Sequence, residues 1–229
     1  MAARCHWRRI TFDVTELGPG DRFEPAAYDL AFLGGGPDRG QTQVAEDLLR
    51  GKGPALRDAV EAGLPLLAVC GAYQLLGHCY RPAEGPELPG LGLFDAYTEH
   101  PGPGAARCIG NLVADWNGTT LVGFENHGGR TFLAPGATPL ARVRRGHGNN
   151  GRDGTEGAVY RNAFGTYLHG SLLPKNPALA DHLLGLALAR AGAPELLTPL
   201  DDALELRAQT AAAGLALENR RRFPWSDQM

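Results

Sequence analysis

The order of apolar and polar positions divides the chain into two textures. In the first third, short continuous apolar runs alternate with amphipathic stretches. ITFDV (residues 10–14) and YDLAFLGGG (28–36) have the density of buried strands, and the second ends in three glycines. QTQVAEDLLR and PALRDAVEAG repeat their apolar residues at helical spacing, with Pro54 suited to a first turn and Gly63 to a stop, and predict a helix or a broken pair. LPLLAVC (64–70) predicts another buried strand, and GAYQLLGHCY (71–80) a helix behind it. This β-α-β-α order predicts an α/β fold with a parallel sheet flanked by helices.

From about Gly90 the apolar runs shorten. GLGLFDAYTE, ARCIGNLVAD, TTLVGFENHGGRTFL and EGAVYRNAFGTYLHG are separated by turn signals such as Trp116-Asn117-Gly118 and Asn162-Ala163, which predicts mixed or antiparallel strands inserted before the parallel sheet is completed. GHGNNGRDGTEG (146–157) is a polar glycine loop, expected to be mobile. Residues 177–191 and 200–222 read as helices, the last with a basic end, Arg220-Arg221-Arg222, that complements its dipole. No internal repeat or linker composition interrupts the chain, so one domain over residues 1–229 is expected.

Composition narrows the class. At 43% hydrophobic over 229 residues the chain can bury a real core, and 32 glycines with 17 prolines promise many loops without reaching the share that signals disorder. A formal net charge of −3 with scattered basic residues is no nucleic-acid footprint. The positively charged N-terminus lacks an apolar segment behind it, and no apolar run approaches the ~20 residues that cross a bilayer, so a cytoplasmic protein is expected. Cys5, Cys70, Cys79 and Cys108 form neither a dense disulfide pattern nor a C-x-x-C pair, and each has to be judged by its own surroundings.

Four features can carry chemistry. Cys70 closes an apolar strand and is followed at once by Gly71, a corner that lifts a side chain out at the carboxyl end of a sheet. A helix N-terminus there lowers a thiol pKa, and the next backbone N–H can donate to a developing oxyanion, the logic of a nucleophile elbow without its G-x-S-x-G sequence. A buried packing cysteine remains the competing reading. His169, in FGTYLHGS, also ends an apolar strand and offers the base such a thiol needs. LGGGPDRGQT (33–42) nearly spells a phosphate loop with Gly35, Gly40 and Thr42, but Gln41 occupies the lysine position. The same glycines can instead supply the N–H of Gly35 or Gly36 as a second oxyanion arm facing Gly71, or form a simple turn. GFENHGGRTF (123–132) crowds Glu125, Asn126, His127 and Arg130 into one turn, with His127 a rival base that Glu125 could orient, or with the whole a hydrogen-bonded strut.

These strings resemble a known family. AVCGAYQLLG is similar to the nucleophile segment of class I glutamine amidotransferases, LGGGPDRGQ to their oxyanion loop and GTYLHG to their histidine strand. GFENHGGRT, GTYLHGSLLPKNP and GLGLFDAYTE together resemble the GatD-type glutaminase subunits of lipid II isoglutaminyl synthases, in the cobyric-acid-synthase-like branch, over residues 10–222. The resemblance implies the class I amidotransferase fold, with Cys70 attacking the glutamine side-chain amide and His169 carrying its proton to the leaving ammonia. It implies oxyanion donors at Gly71 and Gly36, substrate binding by Arg107, whose guanidinium suits an α-carboxylate, and Gln74 facing the same pocket. It further implies a heterodimer with a Mur-ligase-type partner, MurT, which would hold ATP and Mg and amidate the D-glutamate of lipid II at the inner face of the membrane; this chain itself would carry no cofactor and no metal.

Three departures from the family pattern stand out. Ser171 occupies the position of an orienting glutamate two residues after the histidine, so the chain offers a dyad, and the family's missing carboxylate is thought to come from the partner. Ala72 replaces a usual glycine, and the strand and loop-helix segment that family members carry before the ARCHWRRITFDV part has no counterpart here, so an open sheet edge is expected. Other readings are a corrinoid amidotransferase, a catalytically silent binding module, a nucleotide binder built on residues 35–42, and a cysteine peptidase or DJ-1-like hydrolase. The first usually carries a fused ATP domain, Gln41 speaks against the nucleotide binder, and the last has no use for Arg107 and the Gly35-Gly36 pair.

Overall fold

Leu66 and Ala68 point into one apolar core while Leu67 points into another, all three at most 2% exposed. That alternation is the period of a strand covered on both faces. The computed structural model describes residues 1–36, 38–193 and 197–218, with Asp38 and Arg39 described by backbone alone. Helix α1 (Ala2–Trp7) is followed by an extended stretch and strand β1 (Ala31–Leu33). Helix α2 (Asp38–Asp47), one wide turn over Leu48–Lys52 and α3 (Gly53–Glu61) form the predicted broken pair, with Pro54 in the first turn of α3 and Gly63 at φ +91° after it. Strand β2 (Leu66–Val69) then leads into α4 (Gly71–Leu75).

Helix α4 is only one turn long, shorter than the pattern through Tyr80 predicts. At Gly77 the chain passes so close to the Ala96 carbonyl that a Cβ would lie 2.7 Å from its oxygen, and Cys79–Arg81 continues as strand β3. Strands β4 (Leu88–Pro89), β5 (Ala96–Glu99), β6 (Cys108–Trp116), β7 (Thr119–His127), β8 (Arg130–Leu133), β9 (Ala141–Arg145), β10 (Thr155–Glu156), β11 (Ala158–Tyr160) and β12 (Ala163–Thr166) follow. They sort into three sheets. The first, β1-β2-β12-β11, is parallel except at β11, with Ala31 opposite Leu66 and Ala163 opposite the same residue from the other side. The inserted sheets are β10-β9-β6-β7, fully antiparallel, and β4-β3-β5-β8, mixed. Asn117 at φ +46° and Gly118 at φ +77° close the β6–β7 hairpin, the two positive angles that a two-residue turn needs to match strand twist.

Two other expectations fail for physical reasons. ITFDV forms no strand: Thr11 and Asp13 break its run, residues 11–14 are exposed, and β1 stands at the sheet edge with Phe32 65% exposed. The loop expected to be mobile is tied down by its own polar groups, since buried Asn149 donates to the Gly157 carbonyl at 2.9 Å, accepts from the Gly157 N–H at 2.9 Å and accepts from Tyr73 Oη at 3.2 Å.

After β12 come α5 (Leu172–Lys175), α6 (Pro177–Arg190) and α7 (Ala203–Glu218); the basic residues 220–222 lie outside the described residues. Leu179 and Leu183 of α6 share a core with Leu67, Leu112 and Leu121, so α6 covers one face of the parallel sheet, while Leu56, Val60 and Tyr73 from α3 and α4 cover the other. Among the described residues no helix is long and apolar enough to cross a membrane, and no group of three or more His, Cys, Asp or Glu could hold a metal ion.

Candidate active site

Cys70 sits between β2 and α4 at φ +55° and ψ −112°, a conformation that L-residues adopt only when their surroundings impose it. Those surroundings are its backbone partners and Gly35. The Cys70 N–H donates to the Thr166 carbonyl at 2.8 Å, and the Gln74 N–H donates to the Cys70 carbonyl at 3.0 Å. A Cβ on Gly35 would stand 2.9 Å from Cys70 Cβ and 3.3 Å from the Val69 carbonyl oxygen, so only glycine lets the two loops approach. Helix α4 is a single turn, too short to carry a long dipole toward the thiol. Ala72 lies inside α4 with helical backbone, where a methyl group is tolerated.

His169 is carried from β12 by buried Tyr167 and Leu168. Its N–H donates to the Phe124 carbonyl at 2.7 Å and its carbonyl accepts from the Phe124 N–H at 3.4 Å, which hooks the end of the parallel sheet onto β7. The ring Nε2 is buried and has no hydrogen-bond partner among the described residues. Burial lowers the His169 pKa below its ordinary 6.5, helped by neighbouring His127, so the imidazole is neutral at pH 7 and available as a base. Ser171 is exposed and stands in the left-handed region at φ +51°.

Cys70 and His169 both line one cavity of about 500 Å³. Arg107 and Asn126 form part of its wall, and the Arg107 guanidinium is aimed by Asn126, with Nε donating to Asn126 Oδ1 at 2.9 Å and a terminal nitrogen donating to the Asn126 carbonyl at 3.3 Å. Gly36 lines the cavity, and Gly71 stands just behind it: a Cβ on Gly71 would meet Gln41 Nε2 at 2.9 Å and Gly36 N at 3.7 Å. Gln74 lines it as well, its Nε2 donating to Tyr167 Oη at 3.1 Å, and Tyr167 Oη lies 2.6 Å from Thr131 Oγ1, itself 2.7 Å from Thr98 Oγ1. Gly36, Cys70, Gln74, Arg107 and His169 thus line one cavity, with Gly71 just behind it.

His127 also reaches the wall, but its ring is committed elsewhere. Nδ1 donates to the Gly129 carbonyl at 2.7 Å, the ring lies flat on Tyr167 with 3.6 Å between centroids, and Nε2 is 3.9 Å from Glu125 Oε2. Glu125 does not orient it through a hydrogen bond; it accepts instead from the His147 N–H at 2.7 Å, from His147 Nδ1 at 2.9 Å and from the Gly148 N–H at 2.9 Å. Burial would raise the Glu125 pKa, yet the histidines and N–H groups around it hold it at about 2. Arg130 ties the turn by donating to the Ala106 carbonyl at 2.6 Å and the Gly128 carbonyl at 2.9 Å. The phosphate-loop reading also lapses, because Gly40 and Thr42 lie within α2 and Gly35 presses against Cys70.

Sequence reasoning passed over Tyr80 and Gly129 in the wall, and Tyr167 and Glu156 behind it. Gly129 had a signal in its pairing with Gly128: a Cβ there would lie 2.7 Å from Gln74 Nε2 and 2.7 Å from Thr98 Cγ2. Tyr167 stands two residues before the histidine. Nothing local marks Glu156, whose buried carboxylate accepts from Thr166 Oγ1 at 2.6 Å and from the Tyr167 N–H at 2.8 Å.

Residues 8–177 match the CobB/CobQ-like glutamine amidotransferase domain. The chain is 42% identical over 211 residues to the GatD subunit of the glutamine-hydrolysing lipid II isoglutaminyl synthase of Staphylococcus aureus, covering 91% of this chain and 84% of that one. It is 39% identical over 188 residues to the Streptococcus pneumoniae GatD subunit, covering 79% and 68%. A crystal structure of a glutamine amidotransferase from Thermotoga maritima shares the fold, with a TM-score of 0.53 at 18% identity over 96% of this chain and 90% of that one. The chain belongs to the CobB/CobQ-like glutamine amidotransferase family, and within that family it is GatD-like.

Proposed function

We propose that this chain is the glutaminase subunit of a lipid II isoglutaminyl synthase, with Cys70 as nucleophile and His169 as the base paired with it. The observation that carries the reading is a strained cysteine at a strand-to-helix corner sharing one cavity with a half-buried, neutral imidazole. Cys70 Sγ bonds to the side-chain carbonyl carbon of glutamine while its proton passes to His169. The C–N bond then breaks, the nitrogen leaves as ammonia with the proton from His169, and water hydrolyses the thioester to glutamate and free thiol. The N–H groups of Gly36 and Gly71 hold the oxyanion, and Arg107 holds the α-carboxylate in forked hydrogen bonds.

Ammonia passes to a Mur-ligase-type subunit, MurT, forming a heterodimer at the cytoplasmic face of the membrane. That subunit binds ATP and Mg and amidates the D-glutamate of the lipid II stem peptide; the glutaminase chain works without metal or cofactor, as a single domain. The carboxylate that orients His169 arrives from the partner, since the neighbouring Ser171 has none and is exposed.

The test is alkylation by 6-diazo-5-oxo-norleucine followed by mass spectrometry. Labelling at Cys70 that disappears in Cys70→Ser supports the reading, and labelling at another residue, or equal labelling of the variant, overturns it.

A further inference from the structure

Gln41 meets the cavity with one end of its amide engaged and the other idle. The residue is 5% exposed and lines the cavity from α2. Its Nε2 donates to Gln74 Oε1 at 3.1 Å, and Gln74 Nε2 donates onward to Tyr167 Oη at 3.1 Å. This run of donors engages the Gln41 N–H and leaves Oε1, a buried carbonyl oxygen, with no partner among the described residues. A buried acceptor left empty is costly, and native structures rarely keep one without a use. The amide also lies at the reacting end of the site: its Nε2 is 2.9 Å from where a Cβ on Gly71 would sit, directly behind the nucleophile.

We propose that Gln41 Oε1 accepts a hydrogen bond from the carboxamide N–H of glutamine and makes the site select an amide over a carboxylate. The inference rests on the glutaminase reading above. Glutamine and glutamate share the α-carboxylate that Arg107 would bind, so Arg107 cannot tell them apart. At the other end the Gly36 and Gly71 N–H groups take the carbonyl oxygen of either molecule. The remaining substituent decides: nitrogen in glutamine carries only donors, whereas the second oxygen of glutamate carries only lone pairs. An acceptor fixed beside that substituent suits the first and repels the second, the type of polar mismatch that discriminates far more strongly than a change of size. The same contact disfavours retention of the product once the nitrogen has left.

The test compares wild type with Gln41→Met, which keeps length and volume and removes both polar atoms. Full-length proteins are assayed alone and with the ligase subunit, in two reactions: hydrolysis of glutamine, and alkylation of Cys70 by 6-diazo-5-oxo-norleucine, which has no amide nitrogen. The expected result is a kcat/KM for glutamine lower by about 10- to 100-fold with alkylation within about threefold of wild type, and a preference for glutamine over glutamate, read from KM and the inhibition constant of glutamate, that narrows by a similar factor. The same ratios are read on Gln41→Asn, which withdraws the carbonyl by one methylene, so the test survives a Met variant that does not fold. Equal losses in both reactions make Gln41 a packing residue and overturn the proposal, as does no loss in either. Wild-type Cys70 that the diazoketone leaves unlabelled overturns the glutaminase reading, an outcome distinct from both.

Discussion

His169 hangs from Phe124 by two backbone hydrogen bonds, its N–H donating at 2.7 Å and its carbonyl accepting at 3.4 Å. The proposed base is therefore positioned as much by the inserted antiparallel sheet as by the strand that leads to it. Directly before Phe124, a Cβ on Gly123 would come within 2.6 Å of Leu168 Cδ2 and 3.4 Å of the His169 carbonyl oxygen. Gly123→Ala should push this strand end away, lowering kcat for glutamine at least about tenfold, with a stability loss of about 1–3 kcal/mol and an intact circular dichroism spectrum. Unchanged kcat in a folded variant would show that the hook does not position the base.

Asn126 aims Arg107 without being charged itself. Asn126→Ala removes the 2.9 Å acceptor at Oδ1 and frees the guanidinium to swing. The expected outcome is a rise in KM for glutamine of about 5- to 20-fold with kcat within about twofold, since the contact is made alike in ground and transition states. A loss confined to kcat speaks against a binding role for the pair.

Burial sets the acid limit of the reaction. In the proposed mechanism His169 has to be neutral to accept the Cys70 proton, and its pKa lies below 6.5, chiefly through burial and secondly through His127. As pH falls, activity should survive past 6.5 and fail only below it, so the acid limb of kcat/KM has its midpoint under pH 6.5. A midpoint at 7 or above contradicts a desolvated imidazole.

Glu156 makes the fold itself sensitive to pH. It is fully buried, which raises its pKa to about 7 against the resistance of Thr166 Oγ1 and the Tyr167 N–H, with Glu125 nearby pushing the same way as burial. The unfolded chain releases this proton near pH 4.5 and the folded chain holds it to about 7, so the folded state binds more protons across that window and loses stability as pH rises through it. Glu156→Gln cannot ionise. Relative to wild type it should gain on the order of 1–3 kcal/mol between pH 5 and pH 8, read from urea melts at each pH. Parallel stability curves for the two proteins would exclude an ionising Glu156.

The strand-end placement of Cys70 and His169 was legible because their signals are local: an apolar run, a reactive side chain, then glycine. Arg107 was legible only through the family likeness, because Asn126, which aims it, arrives from another strand. The idle acceptor of Gln41 could not be read at all, since its direction depends on Gln74 and Tyr167, far along the chain. ITFDV has strand-like composition, but a strand also needs a neighbour to pair with. Residues 146–157 looked mobile because a loop that bonds to water and one that bonds to itself use the same polar residues; Asn149 turns its amide inward and settles the matter.

Tyr167 follows β12 in the first sheet, lies flat against His127 at the end of β7 in the second, and touches Thr131 of β8 in the third. The wall behind Cys70 is therefore a junction of all three sheets. The thiol corner needs Thr166 and Gly35, so it is complete once the first sheet is assembled, but the cavity that gives it a substrate closes only when the other two sheets are in place. A chain caught half-assembled would hold a cysteine at the right corner and release no ammonia.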